Sequence, residues 1–224
     1  MKLLQCLLCN FFIHKKNYHT NFPEKIVSFK NSKNIFLDND IYFDIYNDKY
    51  EYNSNNLYKK YNDLTAEHIF PQSYIKKYSN SNSNSNFDMH NIYLTSSITN
   101  NFRSNYKYVD EINYIKIINK TKYILLPKSE LKIYNNSLYY RSNYLNIFIP
   151  NNYSRGMIAR SIAYMKLTYI ELNMDNVIDV YTLKKWNLLY PPSFYEKYRN
   201  YIIKLKQGNE NIFITNYLLV NELF

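Results

Sequence analysis

An α+β architecture follows from three features of the 224-residue chain. Ile158, Ile162, Met165 and Tyr169 recur at helical spacing behind Ser154, whose side chain can cap an amphipathic helix that starts near Arg155. A second helix is bracketed by Pro191-Pro192 ahead of Ser193 and by Gly208 just beyond Lys206, at a C′ position. Between them and the chain's start, β-branched and aromatic residues cluster over 114–126 and 132–149. Those runs suit strands, or a short helix and a hairpin turning at Asn135-Asn136. No segment repeats another, and the length accommodates one domain, residues 21–224, behind an N-terminal segment of residues 1–20.

The first twenty residues admit three readings. Lys2 followed by the apolar stretch 3–13 resembles a secretory leader, although Gln5 and Asn10 interrupt it and no small-residue cleavage site follows. Cys6, Cys9, His14 and His19 stand in the C-x2-C-x4-H-x4-H order of a zinc knuckle with a substituted last ligand, but the glycines that close so tight a loop are missing. The third reading is an apolar segment that packs on the domain. Export is one possibility and an intracellular location another.

Over residues 21–60, short apolar and Tyr-rich pieces (26–29 and 41–46) alternate with Asn/Asp/Lys turns, as short strands or helices do when they lead into a core. The next apolar piece carries Glu67-His68 and is stopped by Pro71, which places both side chains at a strand end or loop start. Residues 78–86, YSNSNSNSN, cannot bury a face and read as an exposed loop. Beyond it, His90 falls in an apolar, strand-like piece, and residues 98–106 fit a short helix that carries Asn100, Arg103 and Asn105. The order is therefore strand, polar loop, strand, helix.

Composition bounds the function. Lys and Arg outnumber Asp and Glu by 28 to 18, for a net charge of +10. A positive field of that kind attracts polyanions, whether DNA, RNA or an anionic membrane surface. No apolar run reaches the roughly 18 residues of a membrane span. With two cysteines, no disulfide framework supports the body of the domain, so its core rests on Ile, Leu, Phe and Tyr. The chain is rich in Asn and Tyr and holds only two glycines, so each glycine is expected where φ is positive or backbones approach closely. Those are Gly156 and Gly208.

Across residues 65–214 the sequence resembles the endonuclease I family of bacterial periplasmic and secreted nucleases. The resemblance lies in EHIFPQS, DMHN, the Asn100-x-x-Arg103-Ser104-Asn105 element, RGMIARSIAYM, Trp186 with YPP, and QGNENIFI, all in the family's order. Both glycines fall inside these motifs. The chain departs from the family's pattern at Ser97 and Asn101, where glycines are common, and at Leu94 and Ile212, where prolines are. It also lacks the disulfides of cysteine-rich relatives.

The resemblance implies a mixed α+β fold built around a ββα-metal nuclease motif, the His-Me finger, with additional helices. It implies a sequence-nonspecific phosphodiesterase acting on DNA, with activity on RNA left open; the chain is expected to be a monomer. Glu67 and Asn100 would ligate a magnesium-like ion, Mg2+ or in its place Mn2+ or Ca2+, which takes hard oxygen donors. His68 would activate the attacking water. Arg103, one helical turn past Asn100, either offers its planar fork to the scissile phosphate or is a solvated helix arginine. Asp88 and His90 would orient the site or stitch the second strand rather than bind metal, with Asn105 beside them in a supporting role. Arg155 and Arg160 read equally as salt-bridge or phosphate-facing residues, while Trp186 and Tyr190 read as core. The competing reading is a nucleic-acid-binding protein that keeps this scaffold without turnover.

Overall fold

A computed structural model describes residues 22–25, 27–41, 43–46, 64–78, 84–110, 117–119, 122–124, 132–134, 137–141 and 146–224. The candidate zinc ligands and the leader-like stretch lie outside these residues. Helix α1 (Phe29–Asp38) begins at Ser28, whose hydroxyl accepts the Asn31 amide. Strand β1 (Leu64–His68) leads into α2 (Gln72–Tyr78), which Pro71 opens by giving its carbonyl to the Tyr74 and Ile75 amides. Two 3-10 turns, Asn84–Phe87 and Met89–Asn91, precede β2 (Ile92–Ser96) and α3 (Ser97–Arg103). β1 and β2 pair antiparallel with Glu67 opposite Tyr93 and His68 opposite Ile92. A ββα unit is therefore present in the order the sequence indicates.

A four-stranded sheet follows, ordered β3-β8-β7-β6 from β3 (Lys107–Tyr108), β6 (Lys132–Tyr134), β7 (Ser137–Arg141) and β8 (Asn146–Ile149). β6 and β7 pair Tyr134 with Ser137 across Asn135-Asn136, where the hairpin turn is expected. A ribbon of β4 (Ile117–Asn119) and β5 (Lys122–Ile124) stands apart. The chain ends in helices α4 (Asn152–Thr168), α5 (Val180–Leu189), α6 (Phe194–Gln207), α7 (Ile212–Thr215) and α8 (Leu219–Leu223).

Helix α4 is the centre of the molecule. Ile158, Ile162 and Met165 lie in one cluster with Tyr108, Phe148, Trp186 and Phe213. A second cluster joins Phe36 of α1, Leu64 and Leu94 of the ββα strands, and Ile202 and Ile203 of α6. Each such side chain contributes roughly 1.5–3 kcal/mol when removed from water.

The expected amphipathic stripe is buried, but so is nearly every other position of α4, including Ser154, Arg155, Arg160 and Ser161. Its cap is Asn151, not Ser154; the Asn151 side chain accepts from both the amide and the hydroxyl of Ser154. His90 lies in the 3-10 turn before β2 rather than in a strand, and the described end of the polar tract is a 3-10 turn with Ser85 buried. Trp186 is buried as expected, whereas Tyr190 is only half-buried.

Both glycines sit where backbone demands them. A Cβ on Gly156 would lie 2.1 Å from the Tyr190 carbonyl oxygen. Gly208 ends α6 in the left-handed region at φ 95°.

Candidate active site

Glu67 and His68 end β1 and Asn100 sits mid-way along α3, and the three line one cleft of about 330 Å³. Pro71, Gln72 and Ser73 form the wall that α2 supplies; Arg103, Ser104 and Asn105 form the wall after α3. The turn between β1 and α2 is fixed by Asn91, which exchanges two hydrogen bonds with the Phe70 backbone, at 2.6 and 3.0 Å. Asn91 thereby extends the β1–β2 ladder with a side chain where backbone pairing stops.

The Glu67 carboxylate is buried, and two side chains converge on its Oε1. Tyr46 donates to Oε1 at 2.8 Å, and Arg103 Nε lies 3.2 Å from the same atom. The Tyr46 and Tyr108 hydroxyls meet at 2.6 Å, and Arg103 Nε also donates to Tyr108 at 3.0 Å. Each hydroxyl has one proton, and that of Tyr46 goes to Glu67, so Tyr108 donates to Tyr46. Burial raises both phenols above their usual range, which keeps them donors. Burial also pushes Glu67 up to about 7, against the lowering pull of Arg103 and the Tyr46 hydrogen bond.

His68 Nε2 lies 3.0 Å from the Asn86 carbonyl oxygen and 3.3 Å from the Gln72 amide nitrogen. A carbonyl only accepts, so the nearer contact makes Nε2 the protonated nitrogen and Nδ1 the basic one. Burial holds the imidazole down at about 4, which leaves it neutral near pH 7. Asn100 commits its amide hydrogens to Thr65 Oγ1 and the Ala66 carbonyl, at 3.1 and 3.3 Å. With its amide hydrogens so engaged, the donor atom that Asn100 can offer a cation in the cleft it lines is its carbonyl oxygen.

Arg103 is neither a solvated helix residue nor an open fork. It is 1% exposed, stacks over the Tyr108 ring, and donates at 2.6 Å to the Ser104 carbonyl and at 2.6 Å to that of Ile69. Ser104, which closes α3, sits at φ 52°, ψ −129°. Asn105 meets Ser73 across the mouth of the cleft at 3.3 Å.

The other candidates lie away from the cleft. Asp88 is buried and accepts from the His90 amide, Gln207, Tyr164 and Tyr169. His90 reaches the Asn209 carbonyl and packs on the Tyr164 ring. Both stitch the turn before β2 to α4 and the loop after α6. Arg160 forms a two-point pair with Glu196, at 2.7 and 2.5 Å, and Arg155 pairs with Asp110, which also holds Lys185 and the Trp186 indole. The open choice for these two arginines falls to salt bridges.

Sequence reasoning missed Tyr46, Tyr108, Gln72 and the two roles of Asn86 and Asn91. In a chain with 27 tyrosines and abundant asparagine, nothing local distinguishes them.

An α+β protein carrying a ββα unit, with acid, imidazole and amide opening on one cleft, is the class that fold and site define. The family model for Endonuclease I matches residues 11–217, and the chain belongs to that family. It is therefore a nuclease-family hydrolase with nucleic acid as its substrate class. The match starts well ahead of the motif-bearing core at residue 65 and takes in α1. No curated protein sequence matches the chain.

Proposed function

We propose that this chain is a divalent-metal-dependent endonuclease that hydrolyses DNA and RNA without regard to base sequence. The observation that carries the proposal is the convergence of Glu67, His68 and Asn100 on one cleft, from a strand and a helix far apart in sequence. Among the described residues no three His, Cys, Asp or Glu side chains gather as a metal-binding group. The pair that fits a cation is instead one carboxylate and one amide carbonyl, hard oxygen donors that leave most of a magnesium-like ion's positions to water and phosphate. Such an ion supplies stabilisation of charge on the phosphate and on the departing 3′ oxygen.

The protein's own part is positioning and proton transfer. His68 Nδ1 takes a proton from water as the water oxygen bonds to phosphorus and the bond from phosphorus to the 3′ oxygen breaks. Asn86 fixes the tautomer that makes this possible. Arg103 acts through Glu67 and the Ile69 carbonyl, which makes it a positioning residue. Contacts to phosphates carry no base information, which accounts for nonspecific cutting.

Supercoiled plasmid and RNA, incubated with and without magnesium and chelator, test the reading. His68→Ala is expected to keep metal and nucleic-acid binding and to lose cleavage by about 10²–10⁴-fold. Glu67→Gln and, more mildly, Asn100→Ala are expected to regain part of their lost rate in excess magnesium. Cleavage by folded His68→Ala near the wild-type rate at neutral pH sinks the mechanism.

A further inference from the structure

Helix α6 is built the wrong way round for an ordinary surface helix. Its inward face carries Glu196, Arg199, Asn200 and Gln207 beside Ile202 and Ile203. Phe194, Tyr198, Tyr201 and Leu205, which recur at i, i+4, i+7 and i+11, instead point outward. Phe194 is 86% exposed, Tyr201 56% and Leu205 57%. The inversion has a local cause. Arg160 draws Glu196 inward, Arg199 donates to the Met89 and Ile92 carbonyls, and Gln207 binds Asp88. These fix the rotation of the helix, and the apolar stripe is left on the outside.

A groove of about 520 Å³, larger than the candidate cleft, runs beside this stripe and is walled by Tyr201, Leu205, Lys197, Lys204 and Ile214, with Glu210 its one acidic residue. The charged residues exposed on α6, Lys197, Lys204 and Lys206, are all positive, and Lys204 reaches Glu210 at 3.3 Å. A second copy of the chain set against this face would bring lysines against lysines. A polyanion with flat apolar faces meets both features at once: its phosphates match the lysines, and its unpaired bases can stack on Phe194, Tyr198 and Tyr201. Duplex DNA hides those base faces, whereas a single strand offers them. At a rise of about 1.5 Å per residue, the three rings span about 10 Å of the helix, room for a few nucleotides.

We propose that the outer face of α6 is an accessory binding surface for single-stranded nucleic acid, separate from the residues that cut it. The proposal rests on the nuclease reading for its substrate class but not for its test, because binding is read without cleavage. Fluorescence anisotropy of a labelled dT20 oligonucleotide in chelator measures it on the full chain. The Tyr198→Ser/Tyr201→Ser variant is expected to bind about tenfold more weakly or worse, and Lys197→Glu to weaken binding as well. Duplex of equal length is expected to lose little in the tyrosine variant. Hydrolysis of a dinucleotide, a substrate that calls only on the cleft residues, none of which is altered, is expected to be unchanged in both.

Unchanged dT20 affinity in both variants, each folded by circular dichroism, overturns the proposal. So does a wild-type dimer at micromolar concentration that the tyrosine variant converts to monomer, since the stripe is then a subunit interface. Failure of wild-type protein to cut any substrate would refute the nuclease reading while leaving the binding result standing.

Discussion

Three donors in series end on one carboxylate oxygen: Arg103 Nε serves Tyr108, Tyr108 serves Tyr46, and Tyr46 serves Glu67. The last link matters most, because a hydrogen bond to a charged acceptor is worth about 1.5–3 kcal/mol and the acceptor here is the proposed cation ligand. Tyr46→Phe keeps the ring that packs on Phe148 and deletes the hydroxyl that donates to Glu67 and accepts from Tyr108. The magnesium concentration for half-maximal cleavage is expected to rise about tenfold, with the rate regained at saturation. Titrating rate against magnesium checks it, and a curve superimposable on the wild type removes Tyr46 from the site. At this scale Glu67, His68 and Asn100 were legible in the sequence because they stand in motifs, while their partners were not. Tyr46 and Tyr108 reach Glu67 from separate segments, and their meaning arises only on folding.

Elements obey the same division. The ββα order was readable because an apolar strand, a polar tract and a second strand contrast sharply along the chain. Helix α5 was not anticipated, because its buried Thr182 and Asn187 and its exposed Tyr181, Leu188 and Leu189 blur the apolar period. The role of Asp88 was half legible. DMHN marked it, but its partners Tyr164, Tyr169 and Gln207 lie on or just after distant helices.

The turn that Asp88 holds should make stability depend on pH through His90. Burial lowers His90 to about 4, aided by Arg199 and opposed by Asp88. The folded state thus binds fewer protons than the unfolded chain between pH 6.5 and 4, so this contribution is complete above about 6.5 and fades on acidification through that window. A shift of this size corresponds to about 3 kcal/mol. His68 adds in the same sense, and Glu67, raised to about 7, acts oppositely as pH falls from there. His90→Phe is expected to lower Tm at pH 7, through the lost bond to Asn209, yet to flatten the fall of Tm from pH 6.5 to 4.5. An unaltered slope assigns that pH dependence elsewhere.

For the molecule as a whole, charge and scale govern behaviour. A net charge of +10 on 224 residues favours loose, mobile capture of polyanions over tight site-specific docking. If about four phosphates are engaged on a single strand, affinity for dT20 should fall several tens of fold between about 50 and 200 mM salt. Anisotropy across that range tests it, and affinity indifferent to salt contradicts a phosphate-led mode. Of the whole fold, the α+β class was evident from two helical segments beside strand-like runs, and the bounds of α6 from Ser193 and Gly208. The outward turn of its apolar stripe was not, because helical spacing reports that a stripe exists and never which side the protein will face.

Ser104 holds a backbone conformation that glycine takes more easily than serine. Its backbone occupies a region that L side chains resist, at the lip of the cleft, with its carbonyl pinned by Arg103. A small spring is thereby wound at the edge of the candidate cleft, held down by the Arg103 guanidinium. Ser104→Gly unwinds it and is expected to raise stability by about 1 kcal/mol, read as a Tm increase of a few degrees. The same change frees the lip to wander, so cleavage by the more stable protein is expected to be slower. Relief of strain at this one position is thus expected to trade speed for hardiness.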